Sequence, residues 1–320
     1  MNVRRRLIPV AAAAAATTLG IGTLTACSGD GAVVANTGKL DVVASFYPMA
    51  FLAEQIGGKH VHVVTLTTPG QEPHDLELSP QQIAQIEESD AALYLKGLQP
   101  SVDKAVAESP VRTKIDASTL TTLENHGTEV GGHAAEHDTH GHEEEEAGKD
   151  PHIWLDPVRY GEVAKGVGEA FAKADPKHAA YYRENSAKLN GKLDALNFAF
   201  EQSLAHTRSK VFLTTHAAFG YLAERYGLTE EAISGLDPES EPSAARVRDL
   251  EEMAKADGVT TVFYETLVSD RTARTIAHDA DLKTDVLDPI EGITDKSRGK
   301  DYFTVQEANL KALQQALGAK

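Results

Sequence analysis

The strongest constraint on the fold is a strand–helix alternation that runs twice along the 320 residues, interrupted once by a long helical stripe. β-Branched and apolar runs at 40–46, 61–66, 91–95 and 112–115 alternate with helical spacing at 47–56, 80–88 and 102–108. The pattern restarts with runs at 211–214, 232–234, 261–264 and 284–287, and helices near 217–226, 243–255, 272–280 and 305–317. Such alternation predicts parallel sheets with helices on their faces. Between the two series, Leu189, Leu193, Leu196, Phe200 and Leu204 fall on one helix face at steps of three and four. The fold class expected is therefore α/β: two Rossmann-like lobes with parallel sheets, each with a core of its own, joined by one long rigid helix. The divisions expected are 39–175 for the first lobe, 176–207 for the helix and 208–320 for the second lobe.

The N-terminus reads as an export signal. Arg4, Arg5 and Arg6 precede an apolar, small-residue stretch that ends in Leu24-Thr25-Ala26-Cys27. Cleavage after residue 26 would leave Cys27 as the first residue, a lipidation site. It is the only cysteine in the chain, so no internal disulfide can form. Residues 27–38 then serve as a tether to a membrane surface. The formal net charge of −17 becomes −20 once the three arginines leave with the signal, and so acidic a surface disfavours nucleic acid as a partner.

Residues 124–149 break the α/β pattern. They are mostly His, Glu, Gly and Ala, with almost nothing to bury, and read as a mobile loop. Five of the thirteen histidines lie there: His126, His133, His137, His140 and His142. They are suited to collecting metal loosely, because a mobile loop must lose entropy to order around each ion.

Four other segments each place a metal-capable side chain at the end of an apolar run. His74 lies in the loop after 61–66, His216 follows 211–215, Asp288 follows 284–287, and His152 precedes a helix that Asp156 can cap ahead of Pro157. In open parallel sheets ligands bind beyond the carboxyl ends of the strands. Two of these residues come from each lobe, which puts a metal between the lobes. Three imidazoles and a carboxylate suit zinc and can close a tetrahedral shell. Glu265, at the end of run 261–264, competes with Asp288 as a direct ligand, or serves as a hydrogen-bond acceptor behind a ligand imidazole.

Glu72-Pro73-His74, His152-Ile153-Trp154-Leu155-Asp156-Pro157, Thr215-His216-Ala217-Ala218-Phe219-Gly220-Tyr221, Glu239-Ser240-Glu241-Pro242-Ser243 and Leu287-Asp288-Pro289-Ile290 occur in order from about residue 40 to the end. In these segments the chain resembles the zinc- and manganese-binding lipoprotein receptors of bacterial ABC importers. The resemblance implies two lobes joined by a long helix, Zn2+ as the transported ligand between them, and delivery to a membrane permease powered by an ATPase. A lipid-anchored monomer on the outer face of the membrane, with no enzymatic activity, is the form expected. His216 stands where manganese receptors of the family carry a glutamate, so the resemblance points to the zinc branch, and a third imidazole favours that metal too. Some members hold a disulfide in the second lobe, which this chain cannot do. The rival from the enzyme class is a zinc hydrolase, and a surface adhesin with structural metal is a third reading. The sequence has neither a His-Glu-x-x-His helix nor a Gly-x-Ser-x-Gly turn.

Overall fold

Short β-branched runs bounded by polar turns make two sheets in the computed structural model, which describes residues 38–127, 129–130 and 149–319. The signal segment, Cys27, nearly all of the tether, and His133, His137, His140 and His142 lie outside the described residues. The first sheet holds β1 (Leu40–Ala44), β2 (Val61–Thr65), β3 (Ala91–Tyr94) and β4 (Thr113–Asp116), all parallel, in the order β2-β1-β3-β4. The second has β5 (Glu129–Val130), β6 (Val211–Thr214), β7 (Thr229–Ala232), β8 (Thr261–Tyr264) and β9 (Lys283–Val286), in the order β5-β7-β6-β8-β9. All of its pairings are parallel except that of β5 with β7. Strand order reverses between β6 and β8, so the crevice beyond their carboxyl ends is a natural ligand position.

The helices are α1 (Tyr47–Gly57), α2 (Pro80–Glu88), α3 (Pro100–Glu108), α4 (Pro157–Ala174), α5 (Ala179–Leu204), α6 (Gly220–Tyr226), α7 (Ala244–Ala256), α8 (Arg271–Asp279) and α9 (Tyr302–Leu317). Their starts follow local chemistry. Ser79 and Gln82 form a reciprocal capping box on α2, and Asp156 accepts from the Val158 N–H at the start of α4, ahead of Pro157. The expected long helix is divided. Pro176–His178 forms a separate 3₁₀ turn, and α5 has 26 residues, about 39 Å long. Its buried stripe includes Leu189, Leu193, Leu196, Phe200 and Leu204. α5 packs against α1, α4, α6 and α9.

The hydrophobic interior is not divided as expected. One cluster joins β1 and α1 through Trp154, Tyr160 and Phe200 to Phe212, Tyr221, Phe263 and Tyr302. Each sheet also has a smaller cluster on its outer face, one under α2 and α3 and the other under α7 and α8. The two lobes thus share a central core, and the described residues cohere as one unit.

β7 begins three residues before its expected position because Thr229-Glu230-Glu231-Ala232 reads as polar. Both glutamates are buried. Thr214 Oγ1 donates to Glu230 at 2.8 Å, and Arg246 pairs with Glu231 at 3.0 Å. Burial pushes the Glu230 carboxyl from an ordinary value of 4.5 up to about 7, although hydrogen bonds from Thr214 and the Phe219 backbone work against that rise. A folded-state value above the unfolded one means that stability is full below about pH 4.5 and falls as pH rises towards 7. Glu230→Gln is therefore expected to stabilise the protein at pH 8 by roughly 2–3 kcal/mol and to flatten its stability between pH 4.5 and 7. Urea unfolding at pH 4.5, 6 and 8 checks this, and an unchanged pH dependence in the variant rejects it.

Candidate metal site

His74, His152, His216 and Glu291 bring one donor atom each within 4.8 Å of one another. Glu291 Oε1 lies 3.2 Å from His74 Nε2, 3.4 Å from His152 Nε2 and 3.7 Å from His216 Nε2. The two Nε2 atoms of His152 and His216 are 3.4 Å apart. A tetrahedral zinc shell with bonds of about 2.0–2.1 Å has donor–donor edges of about 3.3–3.4 Å. The three separations from Glu291 and the one between His152 and His216, 3.2–3.7 Å, are thus close to the edges of such a shell. His152, His216 and Glu291 are buried, and the His74 side chain, 11% exposed, is the member that reaches solvent.

Each donor is held from behind. His74 sits in the loop between β2 and α2, where Glu72 Oε1 accepts from its backbone N–H at 3.0 Å. His152 Nδ1 is 2.7 Å from Asp150 Oδ1, which also accepts from the His152 backbone N–H. His216 leaves the end of β6, and its Nδ1 is 2.8 Å from Glu265 Oε1 at the end of β8. Thr215 Oγ1 donates to the same oxygen at 2.6 Å. Carboxylates on Nδ1 fix the tautomer that turns a bare Nε2 towards a metal.

Asp288, expected from the sequence as the fourth ligand, is not in this cluster, where Glu291 takes the fourth place. Its Oδ1 accepts from the Ile290 N–H at 2.8 Å and its Oδ2 from Thr266 Oγ1 at 3.2 Å. Asn309 bonds both the N–H and the C=O of Asp288. These contacts brace a turn in which buried Ile290 has φ +60°, an outlier for a β-branched residue. Strain of this kind persists only where neighbours over-determine it. Trp154 Nε1 completes the brace by donating to Pro289 O at 2.6 Å. The next residue after the strained one is Glu291, so Asp288 shapes the turn that points Glu291 inward. Two carboxylates three residues apart were the available signal. Asp before Pro is a turn former, which favours the later acid for the cluster.

Electrostatics bind the group together. Burial alone would raise the Glu291 carboxyl, but hydrogen bonds from His152, His216 and His74 hold it well below the usual range. Burial likewise disfavours a charged His216, yet Glu265 and Glu291 push it well above its ordinary value. His152 is raised too, with Asp150 and Glu291 outweighing its burial.

His126, expected in a mobile loop with the other histidines, is docked. Its side chain is 8% exposed, with Nδ1 2.7 Å from Asp150 Oδ2. The backbone around it is tied down by Glu124 N–H to Tyr221 Oη at 2.9 Å and by the β5–β7 pairing. Asp156, expected as a helix cap, also takes a paired contact from Arg225.

A profile of the family described as zinc-uptake complex component A, periplasmic, matches residues 42–316. The zinc-binding lipoprotein AdcA of Streptococcus pneumoniae is 36% identical over 284 residues, 87% of this chain and 56% of that protein. The chain thus spans little more than half the length of that relative. The high-affinity zinc uptake system protein ZnuA of Bacillus subtilis is 32% identical over 288 residues, covering 88% of this chain and 89% of that one. Among solved structures, the Zn(II)-bound ZnuA-like domain of Streptococcus pneumoniae AdcA superposes with a TM-score of 0.71 at 33% identity, over 88% of this chain and 99% of that one. The laminin-binding protein Lmb of Streptococcus agalactiae, described as an adhesin with metal-transporting activity, gives 0.75 at 30% identity, over 87% and 99%.

Proposed function

Because the chain belongs to the zinc-uptake complex component A family, we propose that it is an extracytoplasmic receptor that captures Zn2+ and passes it to an ABC-type importer. The ligands in this reading are His74, His152, His216 and Glu291. The observation that carries it is the convergence of these four donors within 4.8 Å of one another, with Glu291 3.2–3.7 Å from all three imidazoles and three of the four residues buried. A shell closed by four protein ligands favours holding the metal, whereas catalytic zinc keeps one position open for water. Three imidazoles favour zinc over the harder manganese, which prefers oxygen donors.

The partners that this reading requires are a permease and its ATPase, with a lipid on Cys27 keeping the receptor, as a monomer, at the membrane surface. The naming of a relative as a lipoprotein supports the anchor. Among the described residues no helix is long and apolar enough to cross a membrane. The same reading makes 39–175 and 208–320 the two lobes, with 176–207 as the link between them. It leaves His133, His137, His140 and His142 as weak collectors of the same ion.

Zinc titration against a competing chelator, on protein without a histidine tag, tests the proposal. The expected result is one tight site per chain, and deletion of residues 131–148 is expected to leave that site intact while weaker binding disappears. A deletion variant without a tight site would move the function out of the cleft and into the histidine-rich segment.

A further inference from the structure

Asp150 is fully buried and serves two histidines at once. Its Oδ1 takes the His152 Nδ1 contact, and its Oδ2 the contact with His126 Nδ1, each at 2.7 Å. The seat for His126 is built with care. Tyr221 presents its ring edge-on at 4.5 Å, donates its hydroxyl to Asp150 O at 2.7 Å, and accepts from Glu124 N–H. A Cβ at Gly220 would come within 2.6 Å of the His126 ring, so only glycine leaves room for it there. Glu124, His126 and Glu224 form a second group of metal-capable side chains. Arg159 already pairs with Glu124 and lies 3.9 Å from Glu224, so a guanidinium supplies the positive charge in that corner. The side of His126 that does distinctive work is the one facing Asp150.

We propose that His126 is a positioning residue for metal capture, holding Asp150 so that its other oxygen fixes the ring and tautomer of His152. This rests on the reading of the cleft as a zinc site. In the donor chain, His126 Nδ1–H gives to Asp150, which accepts in turn from His152 Nδ1–H, so that Nε2 is the ring atom that faces Glu291 and would ligate the metal. The first histidine of the histidine-rich stretch therefore belongs to the cleft. Partners one contact removed from a metal ligand usually change affinity 10–100-fold, and His126 stands one contact further back, so an effect of about tenfold is expected.

Three variants of the full chain test this: His126→Phe keeps a ring without a donor, His126→Asn keeps a donor near the Nδ1 position, and His126→Ala removes both. Two quantities are read: the Nδ1–H proton resonance of His152 in metal-free protein, and zinc affinity by chelator competition. His126→Phe and His126→Ala are expected to shift or broaden the resonance and to weaken zinc about tenfold. His126→Asn is expected to stay within about threefold of the parent. If His126→Phe leaves the resonance unchanged and binds as tightly as the parent, or if His126→Asn loses as much as His126→Ala, the proposal is overturned. Should the Phe variant fail to fold, the Asn and Ala pair decides the matter alone. The resonance is read without metal, so a parent that bound no zinc would reject the reading of the cleft while still reporting on the His126–Asp150–His152 chain.

Discussion

Glu291→Gln is expected to lower zinc affinity by two to three orders of magnitude, whereas Asp288→Asn costs less than tenfold. Tight four-ligand zinc sites are worth about 10–16 kcal/mol at neutral pH, so one ligand carries about 3–4 kcal/mol, and each 1.4 kcal/mol is tenfold. Glu291 has the further task of supplying the negative charge that faces three imidazoles. An amide of the same shape keeps the packing and loses that charge. At position 288 an asparagine can still accept from the Ile290 N–H, so the strained turn survives. Asp288→Ala, which removes that acceptor, is expected to fall between the two. Chelator competition measures all three, and a greater loss from Asp288→Asn than from Glu291→Gln would restore Asp288 as the ligand.

Trp154→Ala should destabilise the fold by about 3–5 kcal/mol, the range for deleting a buried large aromatic. The indole has no exposed surface, packs edge-on to Phe46 at 5.0 Å, and donates to Pro289 O at 2.6 Å. The Trp154 carbonyl accepts from Tyr302 Oη at 2.6 Å. One residue thus joins α1's entry, the Asp288–Glu291 turn and α9 across the shared core. A single core also predicts the shape of the transition. Unfolding is expected to remain one cooperative step in both parent and variant. A variant melting in two separated steps, one sheet at a time, would mean that the lobes are stabilised independently.

Much of this molecule was legible from residue pattern. The strand–helix alternation placed both sheets, and the helix-face spacing from Leu189 to Leu204 marked α5. The three histidines that meet in the cluster were each marked by the end of an apolar run. What escaped had a common cause, which is that polarity in a sequence does not say whether a group is partnered. Glu230 and Glu231 fell outside the expected strand and are buried strand, where Thr214 and Arg246 each engage one carboxylate oxygen. His126 looked like one of five solvated histidines and is seated on Asp150. Asp288 lies in a turn beside the cluster and Glu291 within it, an arrangement set by a positive φ at Ile290 that cannot be read from a one-dimensional pattern. Nor can hydrophobic spacing distinguish two cores from one: a stripe that faces inward is satisfied by either.

If the chain is the zinc receptor proposed, its shared core sets the terms on which cargo would leave. Receptors built from independently folded halves can open about a hinge and present an empty mouth. Here Trp154, Tyr302 and Phe200 fill the space between the sheets, and close-packed interiors do not deform by degrees. On that reading, turnover would become a question of loop kinetics. The three inner donors are locked by Asp150, Glu265 and the braced turn, while His74 stands at the water's edge on a segment without regular structure between β2 and α2. On the proposed zinc reading, detaching that one imidazole would open a face of the ion to an incoming donor, and exchange would proceed by stepwise substitution at a single corner.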